Sequence, residues 1–301
     1  MEPTATTPPS VDAGRVETLA FVGLLAGGCA IAFAPILVRL SDTGPVASAF
    51  WRCALATPLL WAWVFHARGS EGAAVRVPPL ALAGAGLFFA ADLGVWHFSI
   101  LYTSVANSTL LANLAPIFVT LAGWLLWKQR VTRTFLAGMT LAIAGMFVLV
   151  GPNFAVGGTK LLGDALGALT GLFYAGYFLS IKVARDAGVT TARLMAWSTT
   201  ITALVLLPIA LLAPQPFWPS APSGWLVLLG LAVVTQILGQ GLIAYAFAHL
   251  PASLSSVSLL IQPVMASIFA WLLFGEAIGA MQFAGGAIVL AGIWLSKKGS
   301  A

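Results

Sequence analysis

The residues best suited to chemistry are ionisable groups set inside otherwise apolar stretches. Asp92 stands in Phe88-Phe89-Ala90-Ala91-Asp92-Leu93-Gly94-Val95-Trp96-His97-Phe98. On a helix Trp96, four residues on, shares its face, and His97 is rotated further and lies nearer the helix end. A charge in the middle of an apolar helix costs several kcal/mol, so Asp92 needs a cavity or a partner. Arg52, inside a second apolar run, is the candidate partner. At ~1.5 Å per residue the two lie roughly 9 and 15 Å from the same helix ends, a gap that an arginine can span. Two readings stay open: an Arg52–Asp92 ion pair serving the fold, and an Asp92 that meets solute or titrates a proton. His97 is likewise either a hydrogen-bonded core histidine or a group lining a solute path. Asp, Trp and His within six residues suit an amphipathic aromatic ligand.

Other apolar runs add polar side chains at helical spacing. Gln236 and Gln240 are four apart with Tyr245 beyond, and Tyr174 and Tyr177 are three apart. Asn107 and Asn113 share one run; Ser253, Ser255, Ser256 and Gln262 share another. Each could be an interhelical hydrogen bond; together they could surround a central cavity. The candidate binding set is Trp96, His97, Asp92, Asn113, Tyr174, Tyr177, Gln236, Gln240 and Ser255. No phosphate-cradling glycine loop, metal-spaced His/Cys/carboxylate cluster or Ser-His-Asp set accompanies it. The reading is therefore not an enzyme, with no cofactor implied and any drive coming from a gradient. Cys29 and Cys53 are isolated in apolar runs and suggest neither a disulfide framework nor a metal. Ala26-Gly27-Gly28-Cys29 faintly resembles a lipoprotein cleavage box, but apolar residues continue to Leu40 and favour a helix contact.

The elements that must position these groups are membrane helices. The 301-residue chain is 60% hydrophobic and 8% charged, with mean hydropathy +0.98, whereas soluble domains carry about 25% charge. Windows of roughly 20 apolar residues predict ten spans: 18–40, 46–67, 79–102, 104–127, 132–151, 160–182, 191–213, 223–248, 252–274 and 277–296. Turn chemistry separates them at Asp42-Thr43-Gly44-Pro45, Gly151-Pro152-Asn153, Pro214 to Pro222, and Leu250-Pro251. The runs are too long and too continuous for a barrel, so helices must satisfy the backbone in lipid. Residues 1–16 are Pro/Thr-rich and read as a flexible tail. With the N-terminus in the cytoplasm, eleven basic residues fall in cytoplasmic segments against two, Arg39 and Lys160, outside, which puts both termini in the cytoplasm. The net charge of +5 is thereby explained by topology, and the partners expected are a bilayer and a small solute, with no nucleic acid. Trp124, Trp127 and Trp271 lie at span ends, as interface belts require.

The chain also repeats itself. From Ser104 and again from Pro251, a gapless alignment sets Pro116 on Pro263, Trp124-Leu125-Leu126 on Trp271-Leu272-Leu273, Gly138 on Gly285, and Gly145 on Gly292, an offset of 147 residues. Upstream, Gly94 falls on Gly241. Such a period marks an internal duplication, with repeats at 17–152 and 153–297 and a short tail at 298–301. Five spans per repeat would invert the second relative to the first, the plan of many alternating-access transporters. Pro116 and Pro263 would bend helices near the midplane, each removing a bond to the carbonyl four residues back. They are candidate hinges, or fixed kinks.

A helix with a central proline, a W-L-L-(W/F) end, a short turn and a glycine-spaced helix, found twice in order, resembles the EamA-type repeat of the bacterial drug/metabolite transporter superfamily. The resemblance runs from about Leu19 to Trp294. It implies an all-α fold of ten spans in two inverted repeats around a central cavity, in a bacterial inner membrane. Within that branch the chain looks most like exporters of aromatic amino acids. A broad exporter of amphipathic or cationic compounds is the alternative, and a non-transporting scaffold is the rival outside transport. Oligomeric state and coupling are left open.

Overall fold

The computed structural model describes residues 11–67, 78–103, 105–150 and 160–300, and every regular element within them is helical. In chain order these are α1 (Val11–Ile31), α2 (Ala34–Leu40), α3 (Pro45–Ala67), α4 (Pro79–Tyr102), α5 (Val105–Ala112), α6 (Ala115–Trp127) and α7 (Arg133–Val150). The second half holds α8 (Leu161–Asp186), α9 (Thr191–Leu212), α10 (Pro222–Gly230), a π-helical segment (Leu231–Gly239), α11 (Gln240–Ala246), α12 (Ala252–Ser258), α13 (Ile261–Phe274) and α14 (Ala280–Gly299). Nine stretches among the described residues are long and apolar enough to cross a membrane. α3 is as long, at 23 residues, but Arg52, His66 and its tryptophans lower its hydropathy. The Gly151-Pro152-Asn153 turn, and with it the boundary between the repeats, lies outside the described residues.

Two expectations change. The chain is already helical from Val11, so the tail shrinks, and Thr18 Oγ1 donates to the Gly14 carbonyl at 2.8 Å within this added turn. The proline-bearing columns are broken rather than bent. α5 ends at Ala112 and α6 restarts at Ala115, with Pro116 in its first turn; α12 ends at Ser258 and α13 restarts at Ile261, with Pro263 in its first turn. A proline there forfeits no helical bond, because first-turn N–H groups lack an intrahelical partner anyway. A third break, unexpected, parts α1 from α2 at Ala32-Phe33, where Pro35 starts the new helix.

α7 and α14, related by the repeat, run antiparallel to one another. Along α7 and α14 the pairing descends from Phe135 beside Gly299, through Ala142 beside Gly292, to Leu149 beside Gly285. A Cβ at Gly138, Gly145, Gly285 or Gly292 would meet backbone of the facing helix, so the helices touch main chain to main chain. Small residues serve this way in bilayers, where packing replaces the hydrophobic drive. The glycines that mark the repeat in the sequence thus form one continuous seam. α3 and α9 also pair, with Trp61 Nε1 donating to Thr200 Oγ1 at 3.1 Å and Trp61 edge-on to Trp197 at 5.2 Å. α8 lies on α5 through Gly167 and Gly171, and on the end of α4 through Gly163. Core side chains of α3, α4, α8 and α9, among them Leu60, Phe89, Tyr177 and Leu206, contribute to the main cluster; a second joins α7 and α14 to α5, α12 and α13.

Candidate functional site

A cavity of about 760 Å³ enters one end of the bundle and reaches its middle. Its rim carries Arg39, Phe274, Glu276 and Gln282; its walls carry Trp96, His97, Ile100, Asn113 and Ala266; deeper lie Arg52, Asp92, Tyr174, Gln240 and Gln262. The volume lies within the range of about 300–1,000 Å³ typical of small-molecule sites. The broken helices help to make it: Ala32, Ala112, Asn113 and Pro263, at or beside the three breaks, all line it.

The deep end is a hydrogen-bonded framework. Arg52 is buried, and its Nε donates to Gln236 Oε1 at 2.9 Å. Gln236 Nε2 in turn donates to Thr199 Oγ1 at 2.9 Å. The guanidinium lies over the Phe89 ring, 5.6 Å from its centroid, and Phe89 stacks on Tyr177 at 4.5 Å. Tyr177 donates its hydroxyl to Gln240 Oε1, and Gln262 Nε2 donates to the Tyr174 hydroxyl, both at 3.2 Å. Nearer the rim, His97 Nδ1 lies 2.5 Å from the Leu93 carbonyl. A carbonyl only accepts, so Nδ1 carries the proton and Nε2 of the neutral ring is an acceptor. Trp96 meets the His97 ring edge-on at 4.9 Å.

Of the candidates, Asp92, Trp96, His97, Asn113, Tyr174 and Gln240 line the cavity, whereas Gln236, Tyr177 and Ser255 do not. Gln236 and Tyr177 stand behind the lining and hold Arg52 and Gln240 in place; Ser255 is fully buried in α12. Arg52 and Asp92 share the cavity without forming a salt bridge: among the described residues the ion pairs are Arg39–Glu276, at the rim, and Lys182–Asp186 at 2.7 Å. The Arg52–Asp92 ion pair is thus replaced by an Arg52–Gln236 hydrogen bond. Gln236 stands in the π-helical segment, which packs alongside α3. Sequence reasoning had no signal for Gln236 as that partner, nor for the Arg39–Glu276 bridge, with Arg39 also over the Phe274 ring at 4.5 Å. Among the described residues no three His, Cys, Asp or Glu side chains converge as a metal site. The arrangement offers charge, hydrogen bonds and aromatic surface in a chamber open at one end: the means to hold a small polar-aromatic solute.

Known proteins share this plan. A solved structure superposes with a TM-score of 0.78 at 18% identity, covering 95% of this chain and 98% of that one, which is a likeness of fold. The pseudopaline exporter CntI of Pseudomonas aeruginosa is 29% identical over 268 residues, 88% of this chain and 91% of that protein. A probable terminal-alkyne amino-acid exporter of Streptantibioticus cattleyicolor is 28% identical over 225 residues, 74% of this chain and 73% of that protein. The model of the EamA-like transporter family matches twice, over residues 16–151 and 161–297, and the chain belongs to that family.

Proposed function

We propose that this protein is a secondary transporter that exports small organic solutes, foremost amino acids with an aromatic preference, by alternating access. The observation that carries the reading is the cavity, which ends blind between two repeat-related halves and combines Trp96 and Tyr174 with Asp92, Asn113 and Gln240. Relatives whose names describe exporters of pseudopaline and of an amino acid support the substrate class. In this reading α3 is a tenth span, the second repeat is inverted, and both termini face the cytoplasm of a bacterial cell, in its inner membrane. The cavity mouth, at the Arg39–Glu276 end, then faces outward. The breaks before Pro116 and Pro263 would be the joints, one straightening as the other bends. Single cysteines flanking Pro116 would change their labelling when saturating solute is added, and unchanged labelling would leave static breaks.

Proteoliposomes loaded with labelled phenylalanine, tryptophan or threonine test the function. The expected result is efflux of the aromatic pair above that of threonine and above empty-vesicle leak. Efflux indistinguishable from leak for all three would overturn it. A second reading, export of amphipathic cations, draws on the cavity-facing carboxylate of Asp92; labelled cationic amphiphiles in the same vesicles decide between them.

A further inference from the structure

Arg52 is 6% exposed, yet its anchoring partners, Gln236 and the Phe89 ring, bring no negative charge. One terminal nitrogen, Nη2, is buried with no partner. A guanidinium kept in a membrane core without an anion is costly, and this one is held rigidly at a cavity wall. A hydroxyl donor lines the same cavity. The Tyr174 hydroxyl accepts from Gln262 and keeps its own proton to donate. The opposite chemistry lies close by. Asp92 is three residues beyond Phe89 on α4, roughly one turn from the ring under the guanidinium, and it also faces the cavity.

We infer that Arg52 and Asp92 clamp the two ends of an α-amino acid zwitterion, Arg52 taking the α-carboxylate and Asp92 the α-ammonium. This rests on the exporter reading and narrows it, because a solute must then carry both free groups on adjacent atoms. The two residues stand more than a salt bridge apart, which leaves room for the ligand's own charges between them. Charge-assisted hydrogen bonds are the strong ones, and a guanidinium fork matches a carboxylate in two places at once. The aromatic walls receive the side chain. The pair belongs to the first repeat alone: the 147-residue register sets Thr199 on Arg52 and Gly239 on Asp92. One cavity thus holds one clamp.

The test is equilibrium binding to the full chain in nanodiscs, with labelled phenylalanine displaced by phenylalanine, phenethylamine, 3-phenylpropionate and N-acetylphenylalanine. Each analogue lacking a free amine or carboxylate should bind at least about tenfold more weakly, the loss expected for one unpaired charged contact. Asp92→Asn should weaken phenylalanine while leaving 3-phenylpropionate within twofold; Arg52→Lys and Arg52→Gln should weaken both and spare phenethylamine. Asp92→Asn keeps the shape of the side chain, so the test survives if the arginine variants fail to fold. Analogues binding as well as phenylalanine would overturn the clamp and leave the exporter standing. Binding of alanine or threonine in place of phenylalanine, with the same need for both charged groups, would overturn the aromatic preference and support the clamp.

Discussion

The two repeats share a scaffold and differ where the cavity is. α6 and α13, equivalent helices, restart after the same break and end on the same left-handed residue, Lys128 at φ 53° and Gly275 at φ 67°. α7 and α14 carry equivalent glycines into one seam. By contrast, the first helix of the chain breaks at Ala32-Phe33, while its counterpart α8 runs unbroken for 26 residues. α4 is a regular α-helix, whereas its counterpart passes through the π-helical Leu231–Gly239. Duplication preserved the packing, and the departures from it supply Gln236, Gln240 and the backbone turn beside the chamber. π-helical turns are frequent at functional sites for this reason: they re-aim side chains that a regular helix would point elsewhere.

If the seam is a shared structural feature, the largest effects should come from it and be equal in the two halves. Gly145→Val and Gly292→Val each drive a branched side chain into facing backbone. Overpacking of this kind costs about 1–3 kcal/mol, and rigid main chain on both sides puts these at the upper end. Both variants should lower the thermal midpoint in detergent by similar amounts. A loss confined to one of them would break the equivalence.

The π-helical segment should behave oppositely, because it has no counterpart. Gln236→Leu strands the Arg52 Nε, and losing a hydrogen bond to a charged group costs about 1.5–3 kcal/mol. Solute binding should fall with it. Gln236→Glu would instead give Arg52 a carboxylate, restoring stability while occupying the guanidinium proposed to take the solute's carboxylate. Stability and binding should therefore separate in this variant; if they recover together, Arg52 is structural only.

Much of this was written in the chain. Apolar run lengths set the span boundaries within a few residues, and the repeat was plain in Pro116/Pro263 and the glycine register. Asp92, Trp96 and His97 announced themselves by polarity in the wrong place, and all three line the cavity. The contacts between helices were less readable. Tyr177, Gln236 and Ser255 have suitable chemistry, but their helices turn them away from the chamber, and helix rotation is set by packing rather than by composition. The π-helical turn is a shift of hydrogen-bond register, which hydropathy does not record. Pro35 lay too near the end of its apolar run to suggest a break.

A smaller effect is expected at the paired helix ends. Left-handed backbone disfavours any residue with a Cβ by about 1–2 kcal/mol and leaves glycine unpenalised. Lys128→Gly should therefore stabilise the first repeat by about 1 kcal/mol, and Gly275→Ala should destabilise the second by a similar amount. Thermal midpoints moving in opposite directions would show the two caps to be equivalent. A shift of the same sign in both would show that Lys128 contributes through its side chain.

The smallest effect separates the two ends of the bundle. The loop before α3 is fixed by Asp42, whose carboxylate accepts the Ser220 hydroxyl at 2.5 Å and the Ser220 N–H at 2.7 Å. The equivalent loop before α9, at the other end, is fixed instead by Arg185 donating to the Val189 carbonyl, a contact with no titratable acceptor. The Ser220 hydroxyl first, and then its N–H, hold the Asp42 carboxyl below its ordinary value of 3.8. A carboxylate lowered on folding contributes stability above its unfolded pKa, and this is lost as pH falls through the folded one. Nothing should therefore change between pH 7 and 5, while below about 4 the mouth loop should loosen and the opposite loop should not. Trp51, in contact with Phe217 and Trp218 at 5.4 and 5.0 Å, reports the mouth as the part of the fluorescence change that Trp51→Phe removes. Asp42→Asn should reproduce the acid signal at pH 7 and remove its further change on acidification. An acid transition that persists unaltered in Asp42→Asn would place the titrating group elsewhere.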